Sequence, residues 1–93
     1  MEKSVRYTVN LHKKALKYYK KCVTKIKNTL VEDFKQLEEN PFFYPGKIKT
    51  LEGHHGLYRI ESGGIRTVYW IDPKNKIVHV ILILPRGGVY KRI

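Results

Sequence analysis

The pair Gly63-Gly64 stands between two segments of alternating character, Leu57–Ser62 and Ile65–Ile71, and it constrains the fold more than any other feature of the chain. Two consecutive glycines between strand-like runs meet the need for positive φ at both positions of a tight two-residue hairpin turn. If they form that turn, the register follows: Ser62 faces Ile65, Glu61 faces Arg66, Ile60 faces Thr67 and Arg59 faces Val68. Side chains alternate along a strand, so Arg59, Glu61 and Arg66 emerge on one face and Tyr58, Ile60, Thr67 and Tyr69 on the other.

Asp72-Pro73-Lys74-Asn75 supplies the next turn signal and leads into Lys76–Leu84, whose almost unbroken apolar run predicts a strand covered on both faces. Upstream, Val5, Tyr7 and Val9 alternate with Arg6 and Thr8, predicting a strand over about residues 4 to 9, with Asn10 as the cap of a following helix. Leu11, Ala15, Tyr18, Tyr19 and Cys22 then recur at helical spacing, while Lys13, Lys14, Lys17, Lys20 and Lys21 take the outer surface. Cys22-Val23-Thr24 interrupts this pattern with weak helix formers, and Thr24 is a candidate cap for a second helix with the stripe Ile26, Leu30, Phe34 and Leu37. A helical hairpin is the expectation and one bent helix the alternative. Asn40-Pro41 ends it, and 41–49 reads as a loop whose Phe42, Phe43 and Tyr44 fold over the edge of the core. The expected architecture is one α+β domain over 1–93: an N-terminal strand, a two-helix hairpin, then a three-strand antiparallel meander with the helices on one face.

Charge narrows the function. Nineteen Lys and Arg against eight Asp and Glu give +11, a field that draws polyanions and points to nucleic acid, an acidic protein, or both. There is no apolar run of membrane-spanning length and no secretory pattern at Met1–Arg6, so the expectation is a cytoplasmic protein with no membrane partner. The lone Cys22 reads as a small apolar helix residue. His12 and His79 read as structural. Adjacent His54-His55 lacks further ligands at suitable spacing, so no metal and no cofactor are expected, and the two remain candidates for proton transfer.

The cluster Arg59, Glu61, Arg66 has two readings: a surface ion pair of little energetic weight, or a phosphate clamp in which planar guanidinium groups make paired hydrogen bonds to phosphate oxygens. Arg86 is positioned in sequence to add a third cation. Tyr90 follows four residues later, either as a core-stacking ring or, beside arginines, as a phenol that ionises more easily and serves as acid, base or stacking surface.

Taken together, the N-terminal strand, the helices ending Leu37-Glu38-Glu39-Asn40-Pro41, the approach Lys49-Thr50-Leu51-Glu52-Gly53, the pattern Leu57-Tyr58-Arg59-Ile60 … Gly64-Ile65-Arg66-Thr67-Val68-Tyr69 and the ending Arg86 … Val89-Tyr90-Lys91-Arg92 resemble the RelE/ParE toxin superfamily over nearly the whole length. The resemblance implies the toxin of a toxin–antitoxin pair. A RelE-like member cleaves mRNA on the ribosome without metal, through attack of the RNA 2′-hydroxyl on the adjacent phosphate, and so inhibits translation. It implies Arg66 and Arg86 as stabilisers of the transition state and Tyr90 in proton transfer or stacking. Arg59, Lys47, Lys49, Lys91 and Arg92 are expected on the RNA backbone. Glu61 stands where the best-known ribosome-dependent nuclease of the family carries a lysine; Glu52, His54 and His55 are therefore the acid/base candidates, since related toxins use a Glu/His pair. Expected partners are an acidic antitoxin, mRNA and the ribosome with its rRNA. The ParE-like branch, which binds DNA gyrase and is no nuclease, is the alternative.

Overall fold

The computed structural model describes residues 6–85. Arg86, Tyr90, Lys91 and Arg92 therefore lie outside the described residues. Seven elements follow one another: β1 (Thr8–Leu11), α1 (Lys13–Lys21), α2 (Thr24–Glu39), β2 (Ile48–Thr50), β3 (Tyr58–Ser62), β4 (Ile65–Asp72) and β5 (Ile77–Pro85). The strands make one sheet in the order β1-β5-β4-β3-β2, in which only the β1–β5 pairing is parallel. The α+β class and the order strand, two helices, meander are as expected; the sheet is mixed and has five strands.

The hairpin register matches the sequence reading residue for residue: Ser62 pairs with Ile65, Glu61 with Arg66, Ile60 with Thr67 and Arg59 with Val68. Gly63 and Gly64 adopt φ of +57° and +83°, the left-handed region that only glycine enters without steric cost. Between β4 and β5 the pairing jumps from Val68–Leu82 to Tyr69–Val80, so Ile81 is the extra residue of a β-bulge.

Both helices pack on one face. Ala15, Leu30 and Leu37 are fully buried against Ile60, Tyr69, Val78, Val80 and Ile83, while Tyr18, Tyr19, Ile26 and Phe34 pack around them. Cys22 and Val23 both have extended backbone, with ψ near 160°, so the expected two helices form instead of one bent helix. The Cys22 N–H still donates to the Tyr18 carbonyl at 3.0 Å, closing α1 before the chain turns. Thr24 is the first residue of α2 and Val23 its cap.

Four local expectations are corrected. The first strand runs Thr8–Leu11, later than 4 to 9, and Asn10 is a strand residue opposite His79 instead of a helix cap. Parallel pairing with β5 continues to the His12 N–H, which donates to Val80 O at 2.8 Å, and this pairing overrides the capping tendency of Asn10. Ile48–Thr50 is an edge strand inside the expected loop, formed because β3 offers a free edge: Ile48 pairs with Ile60, Lys49 with Arg59 and Thr50 with Tyr58. Of the loop aromatics, Phe42 reaches Tyr7 and Tyr58 edge-on, at centroid distances of 6.0 and 6.3 Å, yet all three, Phe42, Phe43 and Tyr44, stay exposed. Finally, among the described residues the two faces of β5 are unequally covered, one fully buried and the other half-buried. Val78, Val80 and Ile83 are buried beneath the helices, whereas Ile81, Leu82 and Leu84 line an open groove among the described residues.

Candidate functional site

That groove lies on the face of the sheet opposite the helices. Alternation along β3 and β4 sends Ile60, Thr67 and Tyr69 into the core, and therefore Arg59, Glu61, Arg66 and Val68 to the other side. The groove encloses about 360 Å³ between Leu51, His54 and Leu57 from the loop, Arg59, Arg66 and Val68 from the hairpin, and Ile81, Leu82 and Leu84 from β5. Its floor is apolar. The bulge at Ile81 matters here, because it places two successive β5 residues, Ile81 and Leu82, on the groove side.

Cations edge this floor. One carboxylate oxygen of Glu61 accepts from Arg59 Nη1 at 2.8 Å and from Arg66 Nε at 3.3 Å. The three side chains keep only 21%, 27% and 22% of their surface for Arg59, Arg66 and Glu61, so the charges are partly desolvated and tightly arrayed. The ion-pair reading of this cluster is realised as an ion triad, and its two guanidinium groups also line the groove. Lys49, exposed, pairs with Arg59 across the β2–β3 ladder and shares its face, extending the positive edge.

His54 lines the groove and also a neighbouring cavity of about 530 Å³ that includes Thr50, Leu51, Gly53, His55 and Gly56. The loop is closed by hydrogen bonds from the Leu51 N–H to Leu57 O at 2.9 Å and from the Leu57 N–H to His54 O at 3.2 Å. His55 lines only the outer cavity and the exposed Glu52 lines neither, so of the three acid/base candidates His54 alone lines the same groove as the arginines. Among the described residues no three His, Cys, Asp or Glu side chains gather as a metal-ligand set.

Lys47 is placed elsewhere. Its ammonium sits 5.3 Å from the Tyr44 ring centroid, and it lines a small depression on the helix side with Glu32, Asp33 and Gln36. Asp33 there is buried, accepts from Ser62 Oγ at 2.7 Å, and burial pushes its carboxyl above the ordinary carboxylate value despite the opposing charge of Lys47. The ladder ends beside the triad, with Pro85 opposite Ile65 and Leu84 opposite Arg66; Arg86 and Tyr90 fall beyond the described residues.

Comparison with protein-family models and with curated proteins gives no match. Solved structures do match. RelE in the archaeal RelE–RelB complex of Pyrococcus horikoshii superposes with a TM-score of 0.75 at 27% identity, over 88% of this chain and 97% of that one. A chain of the RelBE2 toxin–antitoxin complex of Mycobacterium tuberculosis gives 0.74 at 25% identity, over 88% and 100%. The chain belongs to the RelE-like toxin superfamily. Isolated Escherichia coli RelE has the same fold, with a TM-score of 0.75 at 23% identity over 92% and 93%. Within this RelE-like sheet, the carboxylate of Glu61 between two arginines sets how much positive charge the groove edge presents.

The apolar walls of the groove were not readable in the sequence, because a continuous hydrophobic run looks the same whether one or both faces are covered.

Proposed function

We propose that this RelE-like chain is the toxin of a toxin–antitoxin pair and acts as a metal-independent endoribonuclease on ribosome-bound mRNA. One observation carries the reading: Arg59, Arg66 and Lys49 border an apolar groove on the open face of a sheet in a chain of charge +11. Such a groove suits a single strand, its phosphates on the basic edge and its bases against the floor.

In the proposed reaction the 2′-oxygen attacks the neighbouring phosphorus, the bond to the 5′-oxygen breaks, and a 2′,3′-cyclic phosphate and a 5′-hydroxyl end result. A base takes the 2′-proton and an acid protonates the departing oxygen. Arg66 and Arg86 stabilise the charge that builds on the equatorial oxygens. Tyr90 serves proton transfer or stacking, and His54 is the favoured partner among Glu52, His54 and His55 because it shares the groove with the arginines. Arg59, Lys49, Lys91 and Arg92 hold the RNA backbone, while Lys47 adds to the field from the helix side. These roles need no cofactor.

The antitoxin is proposed to be an acidic, amphipathic segment that orders on binding and neutralises part of the +11 charge. Complexes of RelE with RelB among the structural neighbours support such a partner. No helix among the described residues is long and apolar enough to cross a membrane, in keeping with a proposed cytoplasmic site of action.

The test is cleavage of message in a translating extract by purified protein. Arg66→Ala is expected to lower the rate by about 100- to 1,000-fold, and Tyr90→Phe to lower it strongly, each with an unchanged circular-dichroism spectrum. Inhibition of DNA gyrase, insensitive to both substitutions and without RNA cleavage, would replace this reading with the ParE-like one.

A further inference from the structure

The open face of the sheet does not end at the groove. Trp70 follows Val68 by two residues and Arg66 by four on β4, so it takes the same face, while Tyr69 between them is buried in the core. His79, its partner on β5, and His12, at the end of β1, lie on that face too, because Val78, Val80 and Leu11 pack into the core.

These three rings are ordered by one another. The Trp70 indole stacks on the His79 imidazole with centroids 4.1 Å apart and planes 14° from parallel. His12 Nε2 and His79 Nδ1 share a hydrogen bond of 2.9 Å, one nitrogen carrying the proton and the other accepting it. The His12 ring meets His79 edge-on, at 83°. His12 is in turn held by its N–H to Val80 O. The nearby Asp72 is engaged in its own turn, accepting from the Asn75 N–H and side-chain amide at 3.1 and 2.8 Å. Yet Trp70 remains 38% exposed, although it is the largest apolar side chain of the sheet.

An ordered indole left open on a sheet face is a stacking surface whose rotamer entropy is already spent, which lowers the cost of receiving a flat partner. Four residues of strand separate it from Arg66, about 13 Å at roughly 3.3 Å per residue. A short single strand spans that distance.

We propose that Trp70, braced by His79 and His12, is a platform on which an unpaired nucleobase stacks while the Arg59–Arg66 edge holds a phosphate of the same RNA strand. The inference rests on the nucleic-acid reading above and adds a subsite to it. The occupant is a base and not an acidic peptide, because the platform is flat and aromatic, its neighbouring carboxylate Asp72 is engaged in its own turn, and it lies in line with the cations that attract a phosphodiester chain. Stacking of this kind tolerates any base, so the subsite contributes affinity and register more than sequence choice.

Trp70 is the only tryptophan in the chain, so its emission reports this site alone. The experiment titrates full-length protein with a short, uncleavable 2′-O-methyl oligoribonucleotide and follows two signals: anisotropy of an end-labelled strand, which reads binding anywhere, and tryptophan emission with the unlabelled strand. A matched abasic strand is the control. Expected are saturable quenching at the anisotropy midpoint, no quenching by the abasic strand, and about tenfold weaker binding by Trp70→Ala with an unchanged salt slope. Trp70→Phe, which keeps a ring, should restore most of the affinity. Anisotropy showing tight binding while emission is unmoved and Trp70→Ala binds normally would overturn the platform and leave RNA binding standing. Equal quenching by the abasic strand, or quenching by an acidic peptide but not by RNA, would also overturn it. Absence of any anisotropy change at low salt would bring down the nucleic-acid reading itself.

Discussion

Replacing Glu61 by glutamine should make the protein less stable and a better RNA binder at once. The carboxylate oxygen that receives Arg59 Nη1 at 2.8 Å and Arg66 Nε at 3.3 Å becomes an uncharged carbonyl of the same shape. At an effective dielectric of about 20 each ion contact has a gross Coulomb attraction of about 5 to 6 kcal/mol. Desolvation, side-chain ordering and the solvent that reaches groups still a quarter exposed cancel most of it, and a net loss of about 1 kcal/mol is expected. For a domain of this size that lowers Tm by about 4–8 °C. Binding moves the other way. The formal charge rises by one from +11, and Arg59, no longer neutralised by Glu61, can meet a phosphate. One additional phosphate contact steepens the dependence of log K on log salt by about 0.7 for a single strand, equivalent to about fivefold tighter binding at 0.1 M than without it. The assay is anisotropy of an uncleavable oligoribonucleotide across a salt series, paired with a thermal melt of the same samples. If Tm falls while affinity is unchanged or weaker and the slope is unaltered, Glu61 positions the arginines instead of occupying them, and the reasoning fails.

Tyr69 is fully buried and donates to Pro41 O at 2.7 Å; Tyr69→Phe strips that carbonyl of its partner and is expected to cost about 1–3 kcal/mol in denaturant unfolding. An unchanged midpoint would mean that water reaches Pro41. Asp33 should act oppositely. Its folded pKa is raised above the ordinary 3.8 by burial, so the native state holds a proton that the unfolded chain has lost, and stability falls as pH rises through the window between those two values. Asp33→Asn, still an acceptor for Ser62 Oγ, removes this penalty: melting at pH 7 should occur at higher temperature than in the parent, with a flatter profile in the acid range, and a lower Tm at pH 7 would show that the ionised form is net favourable. Thr67 is fully buried and its Oγ1 has no hydrogen-bond partner among the described residues, so the isosteric Thr67→Val should raise stability by about 1 kcal/mol, measured by urea unfolding.

The hairpin shows how far local chemistry reaches. Two glycines and an alternating pattern were enough to place Arg59, Glu61 and Arg66 on one face, because the register of a two-residue turn leaves no freedom once both φ are positive. The helical stripe Ile26, Leu30, Phe34 and Leu37 was legible for the same reason: 3.6-residue periodicity is a property of the segment itself. Ile48–Thr50 was not, since three residues carry too little pattern and that strand exists only by virtue of the edge β3 presents. Lys47 and Lys49, two residues apart, looked alike in sequence; one joins the arginine face and the other lies beside Asp33 on the helix side.

Sequence by itself therefore determined the turn, the amphipathic helices, the charge and the face on which the arginines emerge, all of which follow from interactions within a few residues. Tertiary structure decided that one face of β5 is buried and the other, among the described residues, only half-buried along a groove, that one Glu61 oxygen serves two arginines, that His54 and not His55 or Glu52 lines that groove, and that Trp70 stacks on His79. Those contacts join β-strands and loops distant along the chain, and their geometry is set by sheet order and by a single bulge, neither of which leaves a periodic trace in the residues that create it.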